Sequence, residues 1–148
     1  MNRFPPDLAT VGALRSRYTT VALVLVVDDN PVVRELASIS LEQAGLEVCQ
    51  AADGAEALTH LRGEPTPDAV VLDIMMPGLS GHEVLSTMRE ERLAPDAVVV
   101  MLSAKTAEAD FTEAFRLGAD DYMTKPFEPD ELVRTVRALV YRNPSLLH

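Results

Sequence analysis

Five positions of this chain carry side chains that could do chemistry together: the adjacent pair Asp28-Asp29, then Asp73, Ser103 and Lys125. Each closes or directly follows an apolar run, except Lys125, which follows a short β-type run. A fold that aligns those runs therefore brings all five to one place. Three carboxylates crowded together repel each other, which raises their apparent pKa values and destabilises the fold unless cations neutralise them. Lys125, one of two lysines in the chain, is one such cation. The other is a hard divalent ion such as Mg2+, which prefers oxygen ligands and keeps several waters. A carboxylate held beside a metal and an ammonium, with a hydroxyl nearby, can attack a phosphoryl donor and form an acyl phosphate, the cations spreading the charge that develops on the equatorial oxygens.

The elements that must position these residues alternate along the chain. Ala22 to Val27 is continuously apolar, as in a strand buried on both faces, and ends at Asp28-Asp29. Asn30 caps a helix with Pro31 in its first turn; Val33, Leu36, Ala37, Ser40, Leu41 and Ala44 form its apolar face, and Gly45 suits a left-handed C-terminal cap. Leu46 to Ala51 is a second strand, and Asp53 with Glu56 has capping-box spacing for a helix to about Arg62. Pro65 and Pro67 interrupt, Ala69 to Leu72 runs into Asp73, and Ser80 with Glu83 starts a helix reaching about Glu90. Ala97 to Leu102 leads to Ser103, a helix spans about Thr106 to Leu117 before Gly118, and Asp121 to Thr124 is a short fifth strand. After the turn Lys125-Pro126-Phe127, a last helix begins near Pro129 and buries Leu132, Val136, Leu139 and Val140. Five β-α units in strict alternation predict a parallel, doubly wound α/β sheet with right-handed crossovers, whose ligands bind at the carboxyl ends of the strands.

Composition narrows the function. The chain has 148 residues, 47% hydrophobic and 24% charged, which suits one globular domain. A net charge of -10 repels polyanions, which disfavours nucleic acid and anionic membranes as direct partners. The single Cys49 excludes an internal disulfide and a multi-cysteine metal site, and a reducing cytoplasm fits best. The longest apolar run, Val21 to Val27, is far below the ~20 residues that span a bilayer. Residues 1–20 read as an extension, either a short helix or a disordered leader, and 143–148 as a tail. Cys49, His60, His82 and His148 have no ligand or triad spacing among them. Phe111 and Phe115 share a helical face; core is the default for both, and one is free to sit partly exposed.

Residues 21–142 resemble the receiver domain of two-component response regulators, the CheY-like superfamily. The resemblance rests on Asp28-Asp29, on Asp73 followed by Ile74-Met75-Met76-Pro77-Gly78, on Ser103-Ala104, and on Tyr122 ahead of Lys125-Pro126-Phe127. Taken alone, Asp28-Asp29 is an acidic helix start favoured by the dipole, Lys125 a surface lysine and Tyr122 a half-buried sheet residue. The aligned Asp73 changes that reading. The resemblance implies a (βα)5 sheet in the flavodoxin-like order 2-1-3-4-5, Asp73 as phosphoacceptor, Mg2+ on Asp29, Asp73 and the Met75 backbone carbonyl, and Asp28 acting mainly through water. It further implies a switch through Ser103, Tyr122 and Lys125, a cis Lys125-Pro126 bond, and no enzymatic activity beyond Mg2+-assisted phosphorylation and dephosphorylation of the domain itself. The implied phosphodonor is a sensor histidine kinase or a histidine phosphotransfer protein. Ser103 stands where Thr is more frequent, which keeps the donor but drops a methyl that restricts its rotamers. Met75 sets an apolar side chain on the approach to the acyl phosphate.

Three rivals fail on particular residues. An aspartyl phosphohydrolase of the haloacid dehalogenase type wants a general acid two residues after the nucleophile, where Met75 stands. A nucleotide or flavin module wants a glycine-rich phosphate loop after the first strand, where Asp28-Asp29 would repel phosphate. A docking scaffold without chemistry would not need the full acidic set and Lys125. For output, the surface of the fourth helix, fifth strand and fifth helix is expected to carry the signal. Glu108, Asp110, Glu113, Asp120 and Asp121 lie on one side of it and Arg116, Arg134 and Arg137 opposite, which suits either a homodimer or a different downstream protein. Either a stand-alone receiver or the N-terminal receiver of a longer DNA-binding or enzymatic regulator fits.

Overall fold

The structure, a computed structural model, describes residues 21–104 and 108–142; the expectations for residues 1–20, Thr106 and 143–148 lie outside them. Ten elements alternate: β1 (Leu23–Val27), α1 (Pro31–Gln43), β2 (Glu47–Ala51), α2 (Gly54–Arg62), β3 (Ala69–Asp73), α3 (Gly81–Glu91), β4 (Val98–Ser103), α4 (Glu108–Arg116), β5 (Asp121–Thr124) and α5 (Pro129–Val140). The strands form one parallel sheet in the order β2-β1-β3-β4-β5, as expected. β1 and β3 are buried along their whole length, which explains why they read as unbroken apolar runs rather than alternating ones.

Because successive strand residues face opposite sides, the sheet divides the core into two. Leu25, Val27, Val70, Leu72, Val99 and Met101 pack beneath α2, α3 and α4. Val24, Val26, Val71, Val100 and Leu102 meet α1 and α5 on the other face. Two aspartates outside the acidic group hold the amino ends of the strands: Asp68 Oδ2 accepts from the Leu23 N–H at 2.8 Å, and Asp120 Oδ2 from the Val99 N–H at 2.7 Å. Asp120, expected only as a surface charge, therefore works as a strand clamp.

The helix ends follow their local signals. Asn30 Oδ1 accepts from the Val32 and Val33 N–H groups with Pro31 at the first helical position, and Ser80 and Glu83 close a reciprocal capping box. Asp53 caps α2 through the Glu56 N–H, but Glu56 Oε1 accepts from Ala52 instead, so this box is shifted by one residue. Gly45 and Gly118 both take positive φ, at 90° and 95°, where glycine alone pays no steric cost.

α1 is rotated from the expected face. Ala37, Ser38 and Leu41 are buried, whereas Leu36 is 44% exposed and Ser40 and Ala44 are half-buried. Ser38 can enter the core because its hydroxyl donates to the Arg34 carbonyl one turn earlier, at 2.7 Å. In α5 Leu132, Val136 and Val140 are buried and Leu139 is only half-buried, since it sits at the edge of the packed stripe. Phe111 is half-buried and Phe115 is 48% exposed, so one ring of that pair does lie on the surface. Among the described residues no helix is long and apolar enough to cross a membrane.

Candidate functional site

The carboxyl ends of β1, β3 and β4 and the turn after β5 converge on one edge of the sheet. Asp28 and Asp29 follow β1, Asp73 closes β3, Ser103 closes β4, and Lys125 follows β5. The ladder continues past the strand ends to hold these groups: the Asp28 N–H donates to the Ala51 carbonyl at 3.2 Å, Ile74 N–H to Leu102 at 2.9 Å and Lys125 N–H to Ser103 at 2.8 Å. The Lys125-Pro126 bond is cis, as expected; a second cis bond, Glu64-Pro65, gave no sequence signal.

Asp28, Asp29 and Asp73 each place a carboxylate oxygen within 4.8 Å of the others. Asp28 and Asp73 are buried, and Asp29 faces solvent. Lys125 Nζ lies 2.7 Å from Asp28 Oδ2 and 3.3 Å from Asp73 Oδ1. The other Asp28 oxygen accepts from the Asn30 N–H at 2.9 Å, and Asp73 Oδ1 accepts from the Met75 N–H at 3.3 Å. Both of these amides lie two residues beyond their aspartate, just past the end of the strand.

One ammonium does not balance three carboxylates. Burial, followed by the neighbouring charge of Asp28, pushes the Asp73 carboxyl up to about 6, against the pull of Lys125. Burial works against the Lys125 ammonium, but its contacts with Asp28 and Asp73 outweigh that and hold its pKa above the usual lysine value. The site thus has an all-oxygen donor set, one open side at Asp29 and negative charge left over. These residues could hold a metal ion, and their chemistry fits a hard divalent cation that retains water.

Ser103 is fully buried at the end of β4, opposite Thr124 in the β4–β5 register. Tyr122 is buried and its ring packs against Phe111, the centroids 3.7 Å apart and the planes tilted by 34°. Met75, whose N–H reaches Asp73, is 53% exposed.

Two residues of the site, Gly81 and Arg34, were not singled out from sequence, and a third, Asn30, was read only as a helix cap. Gly81 packs so closely behind Asp73 that a Cβ there would stand 2.4 Å from the Asp73 carbonyl oxygen. Asn30 serves twice, capping α1 with its side chain and binding Asp28 with its N–H. Arg34, one turn into α1, donates from Nη1 to the Asp28 carbonyl at 2.7 Å. A cationic residue a fixed turn beyond a capped helix start was the available signal for Arg34; nothing local marks Gly81, because its neighbour Asp73 belongs to a different element.

Known proteins resemble this chain in sequence and fold. The family model for the response regulator receiver domain matches residues 24–137. The chain is 44% identical over 120 residues to the DNA-binding response regulator MtrA of Mycolicibacterium smegmatis, covering 81% of this chain and 51% of that protein. It is 41% identical over 119 residues to the phosphate regulon transcriptional regulatory protein PhoB of Escherichia coli, covering 80% and 52%. The chain spans about half the length of these curated relatives. Among solved structures, the chemotaxis protein CheY4 of Vibrio cholerae superposes with a TM-score of 0.75 at 33% identity, covering 80% of this chain and 98% of that one. With a family match across most of its length and relatives of this identity, the chain belongs to the response regulator receiver domain family.

Proposed function

We propose that Asp73 is the phosphoacceptor of this receiver and that the acidic group takes Mg2+. A carboxylate oxygen of Asp73 attacks the phosphorus of a phosphohistidine on a sensor histidine kinase or phosphotransfer protein. The P–N bond breaks, the imidazole leaves and takes up a proton, and an acyl phosphate stands on Asp73. Asp29, Asp73 and the Met75 backbone carbonyl would hold Mg2+, with Asp28 reaching it through water. When bound, the ion neutralises charge on the transferring phosphoryl oxygens. The Asp28 side chain keeps Lys125 over Asp73, and Lys125 offers its ammonium to the phosphoryl group. Ser103 donates its hydroxyl to the phosphoryl group, and Tyr122 couples that movement to α4. The observation that carries this reading is the three carboxylates within 4.8 Å of one another with Lys125 Nζ bridging two of them.

The receiver unit is residues 21–142, with 1–20 as an extension and 143–148 as a tail, and it works in the cytoplasm. Its output face is α4, β5 and α5, read by a different protein rather than by a second copy of the chain. Arg116 is already bound to its own Glu113, at 2.6 Å, and Asp120 to Val99, so three of the charges expected to cross a dimer are engaged within the chain. The Glu108 and Asp110 side chains lie outside the described ones. A small phosphodonor with Mg2+ should add one phosphoryl group by intact mass, and none to Asp73→Asn; an equal gain by the variant would remove Asp73 from this role.

A second reading concerns the whole protein: the chain is the receiver part of a longer DNA-binding regulator. Its support is that MtrA, named as a DNA-binding response regulator, and PhoB, named as a transcriptional regulatory protein, are matched over about half their length. An immunoblot of the native host should then show a product well above 16.1 kDa, and a band at that mass contradicts the reading.

A further inference from the structure

We infer that Arg34 is a positioning residue for the cation site, acting through the backbone of Asp28 rather than by touching the ion. This inference rests on the reading of the three carboxylates as a Mg2+ site. The Asp28 carbonyl lies just past the end of β1, on a buried residue, where the sheet ladder no longer supplies a donor. Arg34 Nη1 supplies it at 2.7 Å. A peptide is planar, so holding the Asp28 carbonyl also fixes the plane that leads into the Asp29 N–H and Cα. Asp29 is the exposed carboxylate of the three, and the direction it takes depends on that plane.

Arg34 is itself held from two sides. Its Nε donates to Gln50 Oε1 on β2 at 3.1 Å, and the Gln50 amide reaches back toward Glu35 Oε2 at 3.4 Å. Its own carbonyl accepts from the buried Ser38 hydroxyl. The Asp28 N–H meanwhile donates to Ala51, the residue after Gln50, so both ends of the Asp28 backbone are referred to the same stretch of β2. Using Nη1 and Nε of one rigid guanidinium for two acceptors is a geometry that a lysine ammonium on a flexible stem does not reproduce.

The test compares wild type with Arg34→Lys, Arg34→Met and Gln50→Met, the last leaving every site residue in place. Mg2+ binding is measured by calorimetry, and the rate of phosphorylation by a small phosphodonor is measured across Mg2+ concentrations. Partners behind metal ligands typically shift affinity about 10- to 100-fold. Both Arg34 variants are therefore expected to bind Mg2+ about 10-fold more weakly, with the rate at saturating Mg2+ within about 2-fold of wild type, and Gln50→Met to fall between. A readout without metal is the Asn30 amide, whose hydrogen exchange should quicken in Arg34→Lys. If Arg34→Met fails to fold, Arg34→Lys and Gln50→Met carry the comparison. Unchanged Mg2+ affinity in Arg34→Lys, with a wild type that binds, overturns the inference alone; a wild type that binds no Mg2+ overturns the site reading and the inference with it.

Discussion

The raised carboxyl of Asp73 has an effect on stability with a definite sign. It sits at about 6 in the fold against an ordinary value of 3.8, so the fold favours the neutral form. The contribution is fully present below the ordinary value and is lost as pH rises through about 6. Without metal, Asp73→Asn should therefore be more stable than wild type at pH 7, by about 2 kcal/mol, with the advantage vanishing toward pH 4. Denaturant midpoints across that range in the presence of a chelator check it, and a less stable variant at pH 7 contradicts it. Lys125→Ala should behave oppositely, because it leaves Asp28 and Asp73 buried without their cation. Its metal-free stability should fall by ~2–4 kcal/mol, while Mg2+ binding stays equal or tightens and the phosphorylation-driven change in α4 to α5 is lost. Weaker Mg2+ binding in Lys125→Ala would mean that the lysine helps to build the cation site rather than competing for its charge. These residues were legible in the sequence because each closes a strand or follows one. Gly81 was not, since the atom it must avoid is the carbonyl of Asp73, and no local pattern records a contact between elements.

At the scale of the element, the loop from β3 to α3 must bring Gly81 against the back of Asp73, and its N–H donates to the Ile74 carbonyl at 2.9 Å. A methyl there would meet backbone rather than a flexible side chain, so the loop itself must shift. Gly81→Ala is expected to cost roughly 2–3 kcal/mol, read as a lower denaturant midpoint. An unchanged midpoint would show that the loop yields freely. Helix and strand ends were readable because caps are local chemistry: Asn30, Ser80 with Glu83, and Gly118 each mark their own boundary. The rotation of α1 was not readable. Apolar periodicity puts Leu36 inside, but the Ser38 hydroxyl is satisfied within its own helix, so the polar residue is buried and Leu36 turns outward. At the far end of the domain, Arg89 of α3 donates to the Leu117 and Gly118 carbonyls, a cap for α4 supplied by another helix and equally invisible in the local sequence.

For the whole molecule, alternation of strands and helices predicts the sheet, whereas the order β2-β1-β3-β4-β5 came from resemblance, because neighbour choice among parallel strands is not a local property. The net charge of -10 disfavours pairing of two copies at low ionic strength. With Glu113 and Arg116 bound to each other, light scattering should give one unchanged mass with and without a phosphoryl mimic at high concentration. A doubled mass on activation would assign the output face to a homodimer instead. The central claim, that Asp73 is where the phosphoryl group lands, is tested most directly by reducing the phosphorylated protein with borohydride and mapping the product by peptide mass spectrometry. Conversion of Asp73 alone to homoserine is the expected result. Homoserine at Asp28 or Asp29, or a phosphoryl group that survives reduction on Ser103, would contradict it.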